Sequence, residues 1–153
     1  MKKKILVLLM FIFLLSGCAN RDVKKIEKIL NKNNIVYFKE EKQTDMMTRY
    51  MYNLKSDKDK SFILFFIDVY NDSDECLKMY KQSIADDPSE VISKSDYDYL
   101  TNSDTDSFKR IDYYKYYKKN GKIIVNFGVS DYSEDGSFIK LGNKLVEELK
   151  ALD

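Results

Sequence analysis

The stretch Ser61 to Tyr70, SFILFFIDVY, constrains the fold more than any other part of this 153-residue chain. Read with the two-residue period of a β-strand, Ile63, Phe65, Ile67 and Val69 line one side, and Phe62, Leu64 and Phe66 line the other. A strand that is apolar on both sides is poorly suited to a sheet margin. It calls for a central place, with both faces covered, or with one covered and the other put to use.

Its neighbours are legible. Ile35 to Glu41 (IVYFKEE) and Met46 to Leu54 (MMTRYMYNL) read as two strands before it, and Phe108 to Ser130 as a hairpin after it. Asn120-Gly121 is the signature of a two-residue type I′ turn. That turn sets Tyr117 opposite Ile124, Lys115 opposite Asn126 and Tyr113 opposite Gly128. Tyr116 and Tyr114 then meet Val125 and Phe127 on the core side, with Ile123 and Val129. The other side presents Tyr113, Lys115, Tyr117 and Ile124 as a candidate interface, because tyrosine joins a large apolar body to a polar tip. The competing reading of those tyrosines is cross-strand packing, or cover by the first helix.

Three helices follow from the 3.6-residue period. Asp22 to Asn33 puts Val23, Ile26, Ile29 and Leu30 on one face, with Asp22 placed as an N-cap. Asn71 to Asp74 caps a second helix that runs to about Ala85 and is ended by Asp86-Asp87-Pro88. The third, Phe138 to Leu152, buries Phe138, Leu141, Leu145, Val146, Leu149 and Leu152. Ser89 to Ser107 reads as an irregular polar loop with a short strand at Val91 to Ser93. The order predicts an α+β fold: a two-layer sandwich of a mainly antiparallel sheet with about three helices. A ferredoxin-like arrangement is one topology that this order allows.

The start of the chain carries a different message. Met1 and three lysines precede an apolar run, Ile5 to Leu15, which leads into Ser16-Gly17-Cys18. This is the form of an export signal, and the run is too short to span a bilayer comfortably. Leu15-Ser16-Gly17-Cys18 resembles the lipobox of bacterial lipoproteins. That resemblance implies cleavage between Gly17 and Cys18, a diacylglyceryl group on the Cys18 sulfur, and often an acyl chain on the new amino group. It divides the chain into a signal peptide (1–17), a lipidated tether (18–22) and one α+β domain (23–153). It also implies a home on the outer face of a cell membrane, held there by those acyl chains. The order of elements loosely resembles small Gram-positive lipoproteins, a likeness that implies no activity.

Charge and composition narrow the chemistry. From Cys18 onward there are 23 basic and 25 acidic side chains, a formal net charge of −2. Nucleic acid is therefore not an expected partner. Histidine is absent, which removes the histidine-dependent nucleophile systems and the usual zinc sites. Cys76 shares a helical face with Leu77, Tyr80 and Ile84 and reads as a small buried hydrophobe. Carboxylate pairs such as Asp86/Asp87 arise readily by chance among 25 acids. Asp131 to Gly136 opens like a calcium loop, but the twelfth position holds Gly142 where a bidentate glutamate is needed, so it reads as a turn capping the last helix. Asn102, Asp104 and Asp106 alternate without the glycine or the final acid and read as a solvated loop.

The expectation is a membrane-anchored, non-enzymatic binding or accessory module, with no cofactor and no metal. Its expected partner is a protein or other component of the envelope, met through the hairpin or through residues 89–107. The alternatives are an envelope enzyme using carboxylate or Tyr/Lys chemistry, and a protective, immunity-type lipoprotein.

Overall fold

The computed structural model describes residues 21–33, 36–56, 58–87 and 89–152. Gly17, Cys18 and the other residues of 1–20, where the sequence reading places a signal peptide and its cleavage site, lie outside the described residues. The first helix, α1, covers 21–32. Three strands follow: β1 (Phe38–Gln43), β2 (Met47–Lys55) and β3 (Phe62–Tyr70). Helix α2 (Ser73–Ala85) leads to β4 (Glu90–Lys94) and β5 (Asp98–Asp104). Then come β6 (Lys109–Tyr117), β7 (Ile123–Asp131) and α3 (Ser137–Lys150).

The seven strands form one antiparallel sheet in the order β1-β2-β3-β7-β6-β5-β4. The α+β sandwich expected from the sequence is what forms. The finer ferredoxin-like option does not hold, because the sheet is two meanders joined edge to edge by β3 and β7, with no parallel neighbours. The doubly apolar β3 is interior, as its sequence demands. Ile63, Phe65 and Ile67 point into the main core with Val125, Phe127 and Val129 of β7. Above them lie Val23, Ile26, Ile29 and Leu30 of α1 and Leu145, Val146 and Leu149 of α3.

One row of rings crosses the middle of this core. Tyr52, Phe65, Phe127 and Tyr113 sit side by side on β2, β3, β7 and β6. Successive centroids are 6.1, 5.4 and 5.4 Å apart, within the favourable range for aromatic pairs.

Asp131 fastens α3 to the sheet. Its carboxylate accepts the Ile139 N–H (2.8 Å) in the first turn of the helix, the Ser133 N–H (2.9 Å) and hydroxyl, and the Ser61 hydroxyl (3.3 Å). The calcium-like spacing at Asp131 to Gly136 is thus a turn that caps a helix. Gly142, the position that spoils the calcium motif, has a packing role. A Cβ there would stand 2.7 Å from Ile111 and Val129, so glycine lets α3 approach the sheet closely.

The hairpin differs from its expected register by one residue. Tyr117 pairs with Ile123, Lys115 with Val125 and Tyr113 with Phe127. The chain turns through 118–122, and Gly121 is left-handed (φ 66°). Asn120 is engaged elsewhere: its side chain donates to Asp22 of α1 (2.8 Å) and accepts the Lys122 N–H (3.0 Å). A slip of one residue moves every side chain of a strand to the other face. Asp22 lies within α1 as this polar link, since residue 21 is already helical. Residues 89–107, expected to be mainly a loop, instead form the β4–β5 hairpin, which includes the short strand expected at Val91–Ser93.

The two faces of the sheet should differ sharply in sensitivity. Phe127→Ala removes a stacked ring from the centre of the main core and should lower unfolding free energy by about 3–5 kcal/mol. Phe62→Ala, on the half-buried opposite face, should cost roughly 1 kcal/mol or less in the same urea titration.

Candidate functional site

The expected interface does not form. Tyr113 and Lys115 are fully buried and Tyr117 nearly so, on the face covered by α1 and α3. Ile124 is buried on the other face, against α2 with Tyr70, Cys76, Tyr80 and Tyr116. The register shift explains both placements. It turns Tyr113, Lys115 and Tyr117 inward beside Phe127 and Val125, and leaves Ile124 opposite Tyr116.

Within the core, Tyr113 and Lys115 meet a third group. Asp98 of β5 accepts the Tyr113 hydroxyl and lies 3.7 Å from the Lys115 ammonium, which also sits 5.1 Å from the Tyr117 ring centre. Burial, then the hydrogen bond to Asp98, pushes the Tyr113 hydroxyl far above the ordinary tyrosine range. A tyrosine acting as a base needs the opposite shift. The cluster is built as a clasp between β5 and β6.

The sheet's second face is covered unevenly. The start of α2 rests against the β6–β7 turn, where Ser73 approaches Gly121. Its far end, with Ser83 and Asp86, reaches the region of Arg110 and Ser103 on β6 and β5. The helix therefore lies diagonally. Asp72 caps it by accepting the N–H groups of Asp74 and Glu75, as its sequence predicts. Cys76 is a buried free thiol there, its pKa pushed up to about 12 by burial and then by the charge of Asp68. Among the described residues, no helix covers the part of the face on β2, β3 and the ends of β6 and β7.

That bare part is a groove. One hollow of about 320 Å³ has Phe62, Leu64 and Phe66 as an apolar floor and Arg110, Asp112, Tyr114 and Asn126 along its side. A second, of about 440 Å³, shares those four polar residues and extends to Asp86, Asp87 and Ser103. At the β1 edge of the same face, Phe38 is 66% exposed. It stands two strands from Leu64, in register through Asn53.

Two arginine–aspartate forks flank the floor. Arg49 binds Asp68 across β2 and β3 at 2.7 and 2.8 Å and lies 5.3 Å from the Phe66 ring centre. Arg110 binds Asp112 two residues along β6 at 2.7 and 3.0 Å. Each fork uses two of the five N–H donors of a guanidinium. Both arginines are partly exposed, so other donors can meet acceptors in the groove. Gly128 makes room for the second fork: a Cβ there would stand 2.8 Å from the Asp112 carboxylate. Tyr114 is raised to about 12 by burial and by Asp112 and Asp87, and stays a neutral phenol.

Such a groove can hold an extended ligand, with apolar groups on the phenylalanine floor and carbonyl or carboxyl oxygens at the guanidinium groups. Among the described residues no cluster of three or more potential metal ligands occurs, and no helix is long and apolar enough to cross a membrane. No protein-family model, curated protein or solved structure matches the chain. The sequence reading missed the groove, although its signals were present: Arg110 and Asp112 at strand spacing, a lone glycine within β7, and the outward set Phe62/Leu64/Phe66.

Two predictions concern the polar contacts. Asp98→Ala removes the carboxylate that the buried Lys115 ammonium and the Tyr113 hydroxyl share and should cost about 3–5 kcal/mol in urea unfolding. Lys115→Met, which keeps the volume and removes the charge, should cost clearly less. Asp131 supplies a pH dependence. Burial acts to raise its pKa, but the hydrogen bonds from Ser133, Ile139 and Ser61 outweigh it and hold the group below the ordinary 3.8. Its contribution is complete above that ordinary value and is lost as pH falls through the lowered one. Thermal melts of the wild-type domain should drop steeply below about pH 4, and Asp131→Asn should flatten that part of the profile.

Proposed function

We propose that this chain is an exported lipoprotein, anchored through Cys18 on the outer face of the cell membrane, whose domain is a non-enzymatic binding module. The groove on the second face of the sheet is its binding site. The observation that carries this reading is the bare half of that face, where half-buried phenylalanines lie between two partly exposed arginine forks. An apolar floor with a few placed polar groups is the usual make-up of a binding cleft. The envelope partner would offer an extended segment bearing apolar side chains, with its carbonyl or carboxyl oxygens toward Arg49 and Arg110. The anchor rests on the basic, apolar and small-residue sequence that ends at Cys18. Two or more acyl chains there would hold the domain stably, where one would not.

In cells, Cys18→Ser should abolish incorporation of labelled fatty acid and release the protein from the membrane fraction. A photoreactive residue at Phe66 of the acylated protein should give one recurrent envelope adduct. Leu64→Asp should weaken that capture roughly tenfold or more. Equal capture from Gln82, an exposed position on α2, would count against the groove.

A further inference from the structure

The charges of this molecule are separated by layer. Helix α1 carries Arg21, Lys24, Lys25, Lys28 and Lys32, against Asp22 and Glu27. Positions 21, 25, 28 and 32 recur every three or four residues and form one stripe. Arg21, Lys24, Lys28 and Lys32 are exposed. Glu27 is turned inward to the Tyr52 hydroxyl (2.7 Å) and Lys39. Helix α3 adds Lys140, Lys144 and Lys150 against Glu147 and Glu148. The two helices hold eight cations and four acids, while the rest of residues 18–153 holds fifteen cations and 21 acids. The helical layer is thus formally +4 on a chain whose remainder is −6.

The position of this layer matters as much as its sign. Only Ala19 and Asn20 separate Cys18 from the first described residue of α1. Three residue steps reach about 10 Å at full extension, close to one Debye length at 0.1 M salt. A domain tethered so briefly holds its first helix within reach of the surface potential of the bilayer.

From this we propose that the α1/α3 layer is a docking surface for anionic phospholipid headgroups, with the lysine stripe of α1 as its main contact. The proposal rests on the anchoring read for Cys18. Each lysine near an anionic surface strengthens association by roughly fivefold. Contact on this side lays the helical layer on the membrane, with the sheet above it. The groove, on the sheet's other face, then opens away from the bilayer.

The test uses the full chain, acylated in cells, purified and reconstituted into vesicles. One set contains phosphatidylglycerol in phosphatidylcholine and the other pure phosphatidylcholine. Single cysteines are introduced at Asn31 on the outer side of α1, or at Gln82 on α2, and carry a fluorescent donor. Cys76 is buried and its thiol protonated, so it should resist labelling. Energy transfer to a headgroup acceptor should be stronger from Asn31 than from Gln82 in anionic vesicles. The difference should shrink in neutral vesicles, in high salt and in Arg21→Glu/Lys28→Glu, a variant altered only at exposed positions of the stripe. Equal transfer from both sites in anionic vesicles, or stronger transfer from Gln82, overturns the proposal.

Mass spectrometry of the Cys18 peptide reads the anchor separately. If Cys18 carries no lipid, the anchoring reading fails, and the layer is tested by sedimentation of the unmodified chain with the same vesicles. Salt-sensitive, stripe-dependent binding to phosphatidylglycerol then supports the surface, and no binding overturns it.

Discussion

The row of rings through Tyr52, Phe65, Phe127 and Tyr113 organises the rest of the structure. Such side chains bury the largest apolar areas available to a protein and favour offset or edge contacts, so a row of four sets the register of the strands that carry them. Its two ends are tyrosines, and a buried hydroxyl needs a partner. At one end, Tyr52 donates to Glu27, which fixes α1 over β2. At the other, Tyr113 donates to Asp98, which fixes β5 against β6 and places a carboxylate beside the buried Lys115. The same row that closes the core thus selects the covering helix and extends the sheet.

The two faces of the sheet consequently have different fates. Two helices fill the space over the row completely. Of the described helices, only α2 lies on the opposite face, because the connection from β3 must reach β4 at the far edge of the sheet. A helix of 13 residues is about 20 Å long, and laid diagonally it cannot also cover β2 and the near end of β3. Phe62, Leu64 and Phe66 are left half-buried for that reason. Their exposure follows from topology, and the arginine forks keep the surrounding surface polar and ordered.

Much of the fold was legible in the sequence. The apolar period of α1 identified Val23, Ile26, Ile29 and Leu30, and all four are buried. The two-sided character of β3 and the cap at Asp72 were equally plain. The register of the β6–β7 hairpin was not. Asn120-Gly121 is a strong local turn signal, yet Asn120 is drawn into a tertiary bond with Asp22, and the chain takes a longer path. No local rule could reveal that bond. The slip moved Tyr113, Lys115 and Tyr117 from an expected surface into the core. The lysine seemed to mark a surface because its acid partner lies on β5, a polar strand that resembled a loop. A buried ion pair is read only when both strands are recognised, so one missed strand disguised the site as well as the fold.

The interior row also bears on how an anchored domain could work. A tether of a few residues permits little reorientation, so the anchored side and the binding side must be separated by the fold itself. Here the separation is the sheet. The ring row holds α1, next to the proposed anchor, on one face, and β3 presents its second apolar set on the other. The basic stripe of α1 and the groove cannot exchange places without turning β3 over, and the registers on both sides of β3 oppose that. On the proposed orientation, attraction to the bilayer and access to the groove act through opposite faces of the same strands, so strengthening the first does not block the second.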